Sequence, residues 1–259
     1  MSPGPGRPGS GARRPLRRAA AIATGALALA AVTTAVMAAR GSPPARDGRE
    51  RAVSVTARAA GTVEFQGVPG QVTIVGAATG QVRLTGQLDW SGRAPLVAVR
   101  TRGAGSARVL RLVYWCAARS PCTGNYRLVV PSRTALVVRQ PSGHVVLSGL
   151  AGPLRITAGS ADVSATGLRG PSLAATITSG HLAAVFDAPP RQVTVTLRSA
   201  QATLWLPASA AYAVSQQVTA GYLRVAVPRA SDSPRTVAAR VTSGELELRA
   251  GRPAAGVTG

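Results

Sequence analysis

The sequence predicts an all-β, repeat-built ectodomain of solenoid-like type after one N-terminal transmembrane helix, with an antiparallel β-sandwich as the alternative architecture. Three observations lead there. Past residue 51, apolar residues alternate with Thr or Arg at a period of two, as with Val193, Val195 and Leu197 against Thr194 and Thr196. That alternation marks strands with one buried face. A small-residue turn recurs about every twenty residues ahead of such a strand, which is the signature of stacked repeat units. Before both lies an uncharged run of 21 residues, Ala19 to Ala39, long enough for a membrane-spanning helix.

Composition narrows the class. An apolar share of 46% excludes wholesale disorder, and a charged share of 15% with 29 Gly and 19 Pro argues against a long coiled coil. The formal charge is +21, carried by 30 basic residues that are all Arg. Such a charge invites a nucleic-acid reading. However, Arg83, Arg111, Arg127, Arg139 and Arg155 are dispersed singly rather than gathered on one stripe, and no zinc-finger spacing or RNP-like run accompanies them. Arg without Lys, beside abundant Ala, Gly, Pro and Val, is what codon bias in a GC-rich genome writes. Nucleic acid is therefore not an expected partner.

In chain order, residues 1–18 are a basic, Pro/Gly-rich tail expected in the cytoplasm. The apolar run 19–39 would span about 31 Å as a helix, matching a bilayer, so the lipid bilayer is its expected partner. Arg13, Arg14, Arg17 and Arg18 directly precede it and favour a cytoplasmic N-terminus. The run reads as a signal anchor, with a cleavable signal peptide ending at Ala38 as the other possibility. Both readings export the chain beyond residue 39. No Cys lies close behind the run, which excludes a lipoprotein anchor. Residues 40–51 read as a flexible tether, 52–250 as the β-repeat ectodomain, and 251–259 as a disordered tail.

The cysteine count agrees with export. Cys116 and Cys122 are the only two, with five residues between them, and are expected to close a small disulfide loop in an oxidising compartment. The turns that define the repeat are SGHVVLSG at Ser142, SADVSATG at Ser160 and SGHLAAVF at Ser179. They continue as SAQATLWL at Ser199, AGYLRVAV at Ala220 and SGELELRA at Ser243, at intervals of 18 to 23 residues. TGQVRLTG at Thr79 is an earlier cousin. One such unit cannot bury its apolar face alone. Stacked at about 4.8 Å, successive units hydrogen-bond to one another and share a narrow core of Val, Leu and Ala.

From Tyr126 to SGELELRA the chain resembles the bacterial putative-adhesin family of exported β-strand-repeat proteins. Shared features are Val130-Pro131 ahead of an SG-turn strand, Ala188 to Pro190, and LPASAAY from Leu206 to Tyr212. LDWSG from Leu88 to Gly92 and the paired Cys before Tyr126 are similar too. The resemblance covers roughly residues 52–250. It implies a cell-surface, non-catalytic adhesion or interaction module, sometimes found with envelope-stress systems, so a ligand-sensing role in such a system is the alternative. Family members commonly carry Asp after the SG turn. Here that position reads His144, Asp162, His181, Gln201, Tyr222 and Glu245.

That position is also the candidate for chemistry. If the units stack in parallel, His144, Asp162 and His181 fall on consecutive rungs, where imidazole, carboxylate and imidazole can bind a divalent metal or respond to pH. The plainer reading is a row of exposed turn residues. No calcium nonapeptide, GxSxG, HExxH or P-loop is present, so no cofactor is expected. A polysaccharide-active β-helix enzyme would need paired carboxylates, and the chain has nine acids in all. Binding remains. Arg83, Arg155, Arg224, Arg240 and Trp205 should project outward from strands, toward anionic envelope polymers or an envelope protein.

Overall fold

Among the described residues the alternating pattern folds into fourteen strands of one mixed sheet that does not close on itself. The computed structural model describes residues 48–117 and 119–253. The tail 1–18, the apolar run 19–39, the tether as far as residue 47 and the chain end from residue 254 lie outside the described residues. No helix among the described residues is long and apolar enough to cross a membrane.

In chain order the strands are β1 (Gly48–Arg58), β2 (Thr62–Gln66), β3 (Gly70–Ala77), β4 (Gln81–Ser91), β5 (Leu96–Arg102), β6 (Val109–Trp115) and β7 (Cys122–Pro131). They continue with β8 (Ala135–Ser148), β9 (Leu154–Leu168), β10 (Ser172–Phe186), β11 (Gln192–Leu206), β12 (Ala213–Val218), β13 (Tyr222–Ala226) and β14 (Thr236–Ala250). The first strand begins inside the expected tether. Gly48 to Arg51 pair with Ser91 to Leu88 of β4. All four are exposed, so backbone pairing holds them without the apolar alternation that would have marked them as strand.

The middle of the molecule is a parallel stack, β8–β9–β10–β11–β14. Ser142, Ser160, Ser179, Ser199 and Ser243 pair in succession at one equivalent corner. Each long strand changes phase there. In β10, Leu173, Ala175 and Ile177 are buried before the corner and Leu182, Ala184 and Phe186 after it. The odd spacing from Ile177 to Leu182 would place them on opposite faces of a straight strand. Reorientation at Ser179-Gly180 turns both limbs toward the same core instead. Gly143, Gly180 and Gly244 take φ of 106°, 103° and 125° at this corner, a region that side chains disfavour.

Both ends of the stack depart from sequence order. On the first limb β6 pairs with β2 and β2 with β8, and on the second β7 pairs with β3 and β3 with β8, all in parallel. Antiparallel strands finish this end: β5 on β6, β4 on β7, and β1 on β4. At the other end β14 lies against β11, while β12 and β13 form the outer layer on β14. The unit at Ala220 is therefore outermost in space although it precedes Ser243 in the chain.

The core is almost wholly aliphatic, as in the layer Val145, Val163, Leu182, Ala202 and Leu246. Each buried Val or Leu there contributes roughly 1.5–3 kcal/mol by removal from water. Aromatic rings gather at the first end, where Phe65, Tyr114 and Tyr126 pack with centroids 4.7 to 6.1 Å apart. Gln140 is buried beside them. Its Nε2 donates to the carbonyls of Val68 at 2.8 Å and Ser142 at 2.9 Å, tying two consecutive corners together. Cys116 and Cys122 are bonded, with Cα atoms 5.8 Å apart, and close the corner that joins β6 to β7.

Candidate functional site

Parallel register sets the chemistry of the outer surface, because outward positions of successive strands form columns. On the second limb, one residue past the corner glycine or alanine, such a column runs Gln71, His144 and Asp162, and then His181, Gln201, Glu245 and Tyr222. His144, Asp162 and His181 thus stand on successive strands. His181 Nδ1 lies 3.0 Å from Asp162 Oδ1, and the His181 backbone N–H donates to the same oxygen at 3.2 Å. His144 Nε2 stands 3.7 Å from Asp162 Oδ2. All three side chains are more than half exposed. Among the described residues no three His, Cys, Asp or Glu side chains converge closely enough to hold a metal ion. The row is a solvated chain of polar contacts, each of small energetic weight.

The structure places Arg83, Arg155, Arg224, Arg240 and Trp205 on separate surfaces. Arg83, Arg155, Arg224 and Arg240 are exposed, and Trp205 is half-buried between Val185 and Arg249 of the neighbouring strands. Arg155 and Arg240 lie on the first limb; Arg83, Arg224 and Trp205 lie on the second. Two of the arginines are already engaged. Arg240 Nε donates to Gln217 Oε1 at 3.0 Å, and Arg224 stands 3.9 Å from Glu247. Glu247 is itself buried to 8% exposure and accepts from Arg249 Nε at 2.6 Å. Its neighbour Glu245 is the register partner of Tyr222, and the nearby carboxylate raises the phenol above its ordinary value.

The structure gathers a set of side chains that the sequence leaves scattered. Among the described residues, the outward face of the first limbs carries Arg100, Arg102, Arg111, Arg139, Arg155, Arg198 and Arg240 against one carboxylate, Glu64. Glu64 sits on β2, between β6 and β8. Arg111 reaches it from one side at 3.6 Å and Arg139 from the other at 4.0 Å. Both contacts are too long for hydrogen bonds and are ion pairs only. Beside them is a groove of about 430 Å³ lined by Glu64, Ala98, Arg100, Arg102, Val109, Arg111 and Val113. The outward phase of each Arg is readable from the runs VRTR, VLRLV and LVVRQ. What the sequence hides is that β5, β6, β2 and β8 are neighbours. Single dispersal along the chain thus becomes one basic face in space.

No protein-family model matches this chain, and no curated protein is similar to it at a significant level. Among solved structures it is similar to a putative cell adhesion protein from Clostridium sporogenes ATCC 15579, at 10% identity and a TM-score of 0.47, covering 79% of this chain and 100% of that one. It is also similar to a putative adhesin from Bacteroides fragilis NCTC 9343, at 7% identity and a TM-score of 0.37, covering 76% and 96%.

Proposed function

We propose that this chain is a membrane-anchored, extracytoplasmic and non-catalytic interaction module that adheres to anionic components of the cell envelope. In this reading its stacked limbs form an open β-solenoid-like body, and residues 19–39 hold that body to the bilayer. The observation that carries the reading is the first-limb face, where among the described residues seven arginines stand against the single carboxylate of Glu64. An excess of one sign on one flat face raises the local concentration of polyanions and speeds their capture. The Cys116–Cys122 link fits an oxidising compartment. Catalysis has little support, since of the two acids closest together on one strand, Glu245 and Glu247, the second is held by Arg224 and Arg249.

The test is retention of envelope fractions by the full-length chain in a neutral detergent, at low and at high salt. Retention of anionic wall or membrane polymers that fades as salt screens the arginines is the expected result. Salt-independent retention, or none, would count against the proposal. Protease treatment of intact cells supplies the second arm, because an exported body must be cleaved from outside.

A further inference from the structure

We infer that the groove beside Glu64 binds the phosphate groups of a linear polyanion, and that Glu64 is a built-in competitor for the site. The inference deepens the proposed function and rests on it.

The first ground is a like-charge pair. Arg100 and Arg111 stand directly opposite each other on the antiparallel strands β5 and β6, on the same outward face. Like charges so placed destabilise a sheet unless an anion lies between them. The second ground is the state of Glu64. Its carboxylate is shared by Arg111 and Arg139 at ion-pair distance on both sides, leaving guanidinium donors to spare. Arginine's planar fork matches phosphate oxygens in bidentate fashion. A tetrahedral phosphate presents acceptors to the facing pair Arg100 and Arg111 together, which a carboxylate already shared by Arg111 and Arg139 does not.

The third ground is extent. Arg100, Arg111, Arg139 and Arg155 succeed one another across β5, β6, β8 and β9, with β2 between the middle pair. At the usual strand spacing that row is about 19 Å long, more than one small anion covers. The groove lining holds no aromatic side chain, so inside it neither a nucleobase nor a sugar ring finds a stacking platform. The exposed Trp115 lies further along β6, two residues beyond Val113. Within the groove, charge along a chain is what can be read.

The probe is fluorescently labelled long-chain inorganic polyphosphate, titrated by anisotropy against the full chain in neutral detergent. The paired substitution Arg111→Gln with Arg139→Gln should weaken binding by about tenfold or more, because two charge-assisted contacts are lost. Glu64→Gln should tighten it roughly threefold or more, by removing the internal competitor. A misfolded variant cannot produce that gain. A charge-matched pair away from the first-limb face, the exposed Arg127→Gln on β7 with the exposed Arg169→Gln just past β9, should leave affinity within about twofold.

Unchanged or weaker binding by Glu64→Gln overturns the inference, as does a larger loss from the control pair than from the groove pair. Stronger competition by a polyuronate at equal charge reassigns the face to carboxylate polymers, and stronger competition by duplex DNA reassigns it to nucleic acid. Either result also overturns it. If envelope polymers are retained but the groove pair has no effect, this assignment fails while the proposed function stands. If nothing is retained, both fail.

Discussion

Gly143 stacks on Gly70 so closely that a β-carbon at Gly143 would lie 1.9 Å from the Gly70 carbonyl oxygen. The two residues are partners at the corner where β8 meets β3. Gly143 also holds a φ of 106°, so a side chain there meets both a backbone clash and an unfavourable conformation. Gly143→Ala should cost roughly 2–4 kcal/mol, read as a lowered midpoint in urea unfolding. The equivalent corner position in the next layer is Ala161, which is buried and has no positive φ. Ala161→Gly should cost only about 1 kcal/mol. Equal losses at the two sites would show that the corners are not conformationally distinct.

The Cys116–Cys122 link closes a corner that is interrupted in β2–β3 by Val68 and Pro69 and crossed without a break by β8 at Pro141 and Ser142. Its ring is short, so the chain-entropy contribution is about 2 kcal/mol. Replacing both with Ser, or adding a reductant, should lower the unfolding midpoint by that amount and leave the β signature in circular dichroism intact. Complete unfolding on reduction would mean that the β6–β7 corner organises the whole first end.

Periodicity made the limbs legible, because alternation such as Val193, Val195 and Leu197 is a local property of the chain. The corners were legible for the same reason, since Ser142, Ser160 and Ser179 recur at nearly equal intervals. Strand order was not, because pairing partners are chosen by non-local contacts. Even so, one cue separates the two final units. Gln216 occupies a core-facing position of β12 opposite Ala239, and a buried amide without partners is costly. That strand suits an outermost layer. The equivalent limb of β14 reads Val237, Ala239 and Val241, all buried, and tolerates cover on both sides. The basic groove needed strand order as well as phase, so Arg100, Arg111 and Glu64 were invisible as a set.

Asp162 joins His144 and His181 in a row, but on open surface. Asp162→Asn should change stability by no more than about 0.5 kcal/mol, the scale of exposed ion pairs. Calorimetric titration of the full chain with zinc should give no saturable heat from this row. A saturable signal abolished by Asp162→Asn would instead establish it as a metal site.

The hydroxyls of Tyr114 and Tyr126 are buried, and neither has a hydrogen-bond partner among the described residues. Burial pushes both phenols above their ordinary value, and for Tyr126 the neighbouring Tyr114 adds to the rise. A folded-state value above the unfolded one stabilises the protein fully below the unfolded pKa of about 10 and is lost as pH climbs from there toward the folded value. The unfolding midpoint should therefore fall steeply above about pH 10. The pair Tyr114→Phe with Tyr126→Phe should flatten that fall. At neutral pH, Tyr126→Phe should stabilise by about 1 kcal/mol, because an unsatisfied polar group is removed with little change of shape. A loss of stability at neutral pH would mean that the hydroxyl is bonded to an internal water, and that the first end of the core is hydrated.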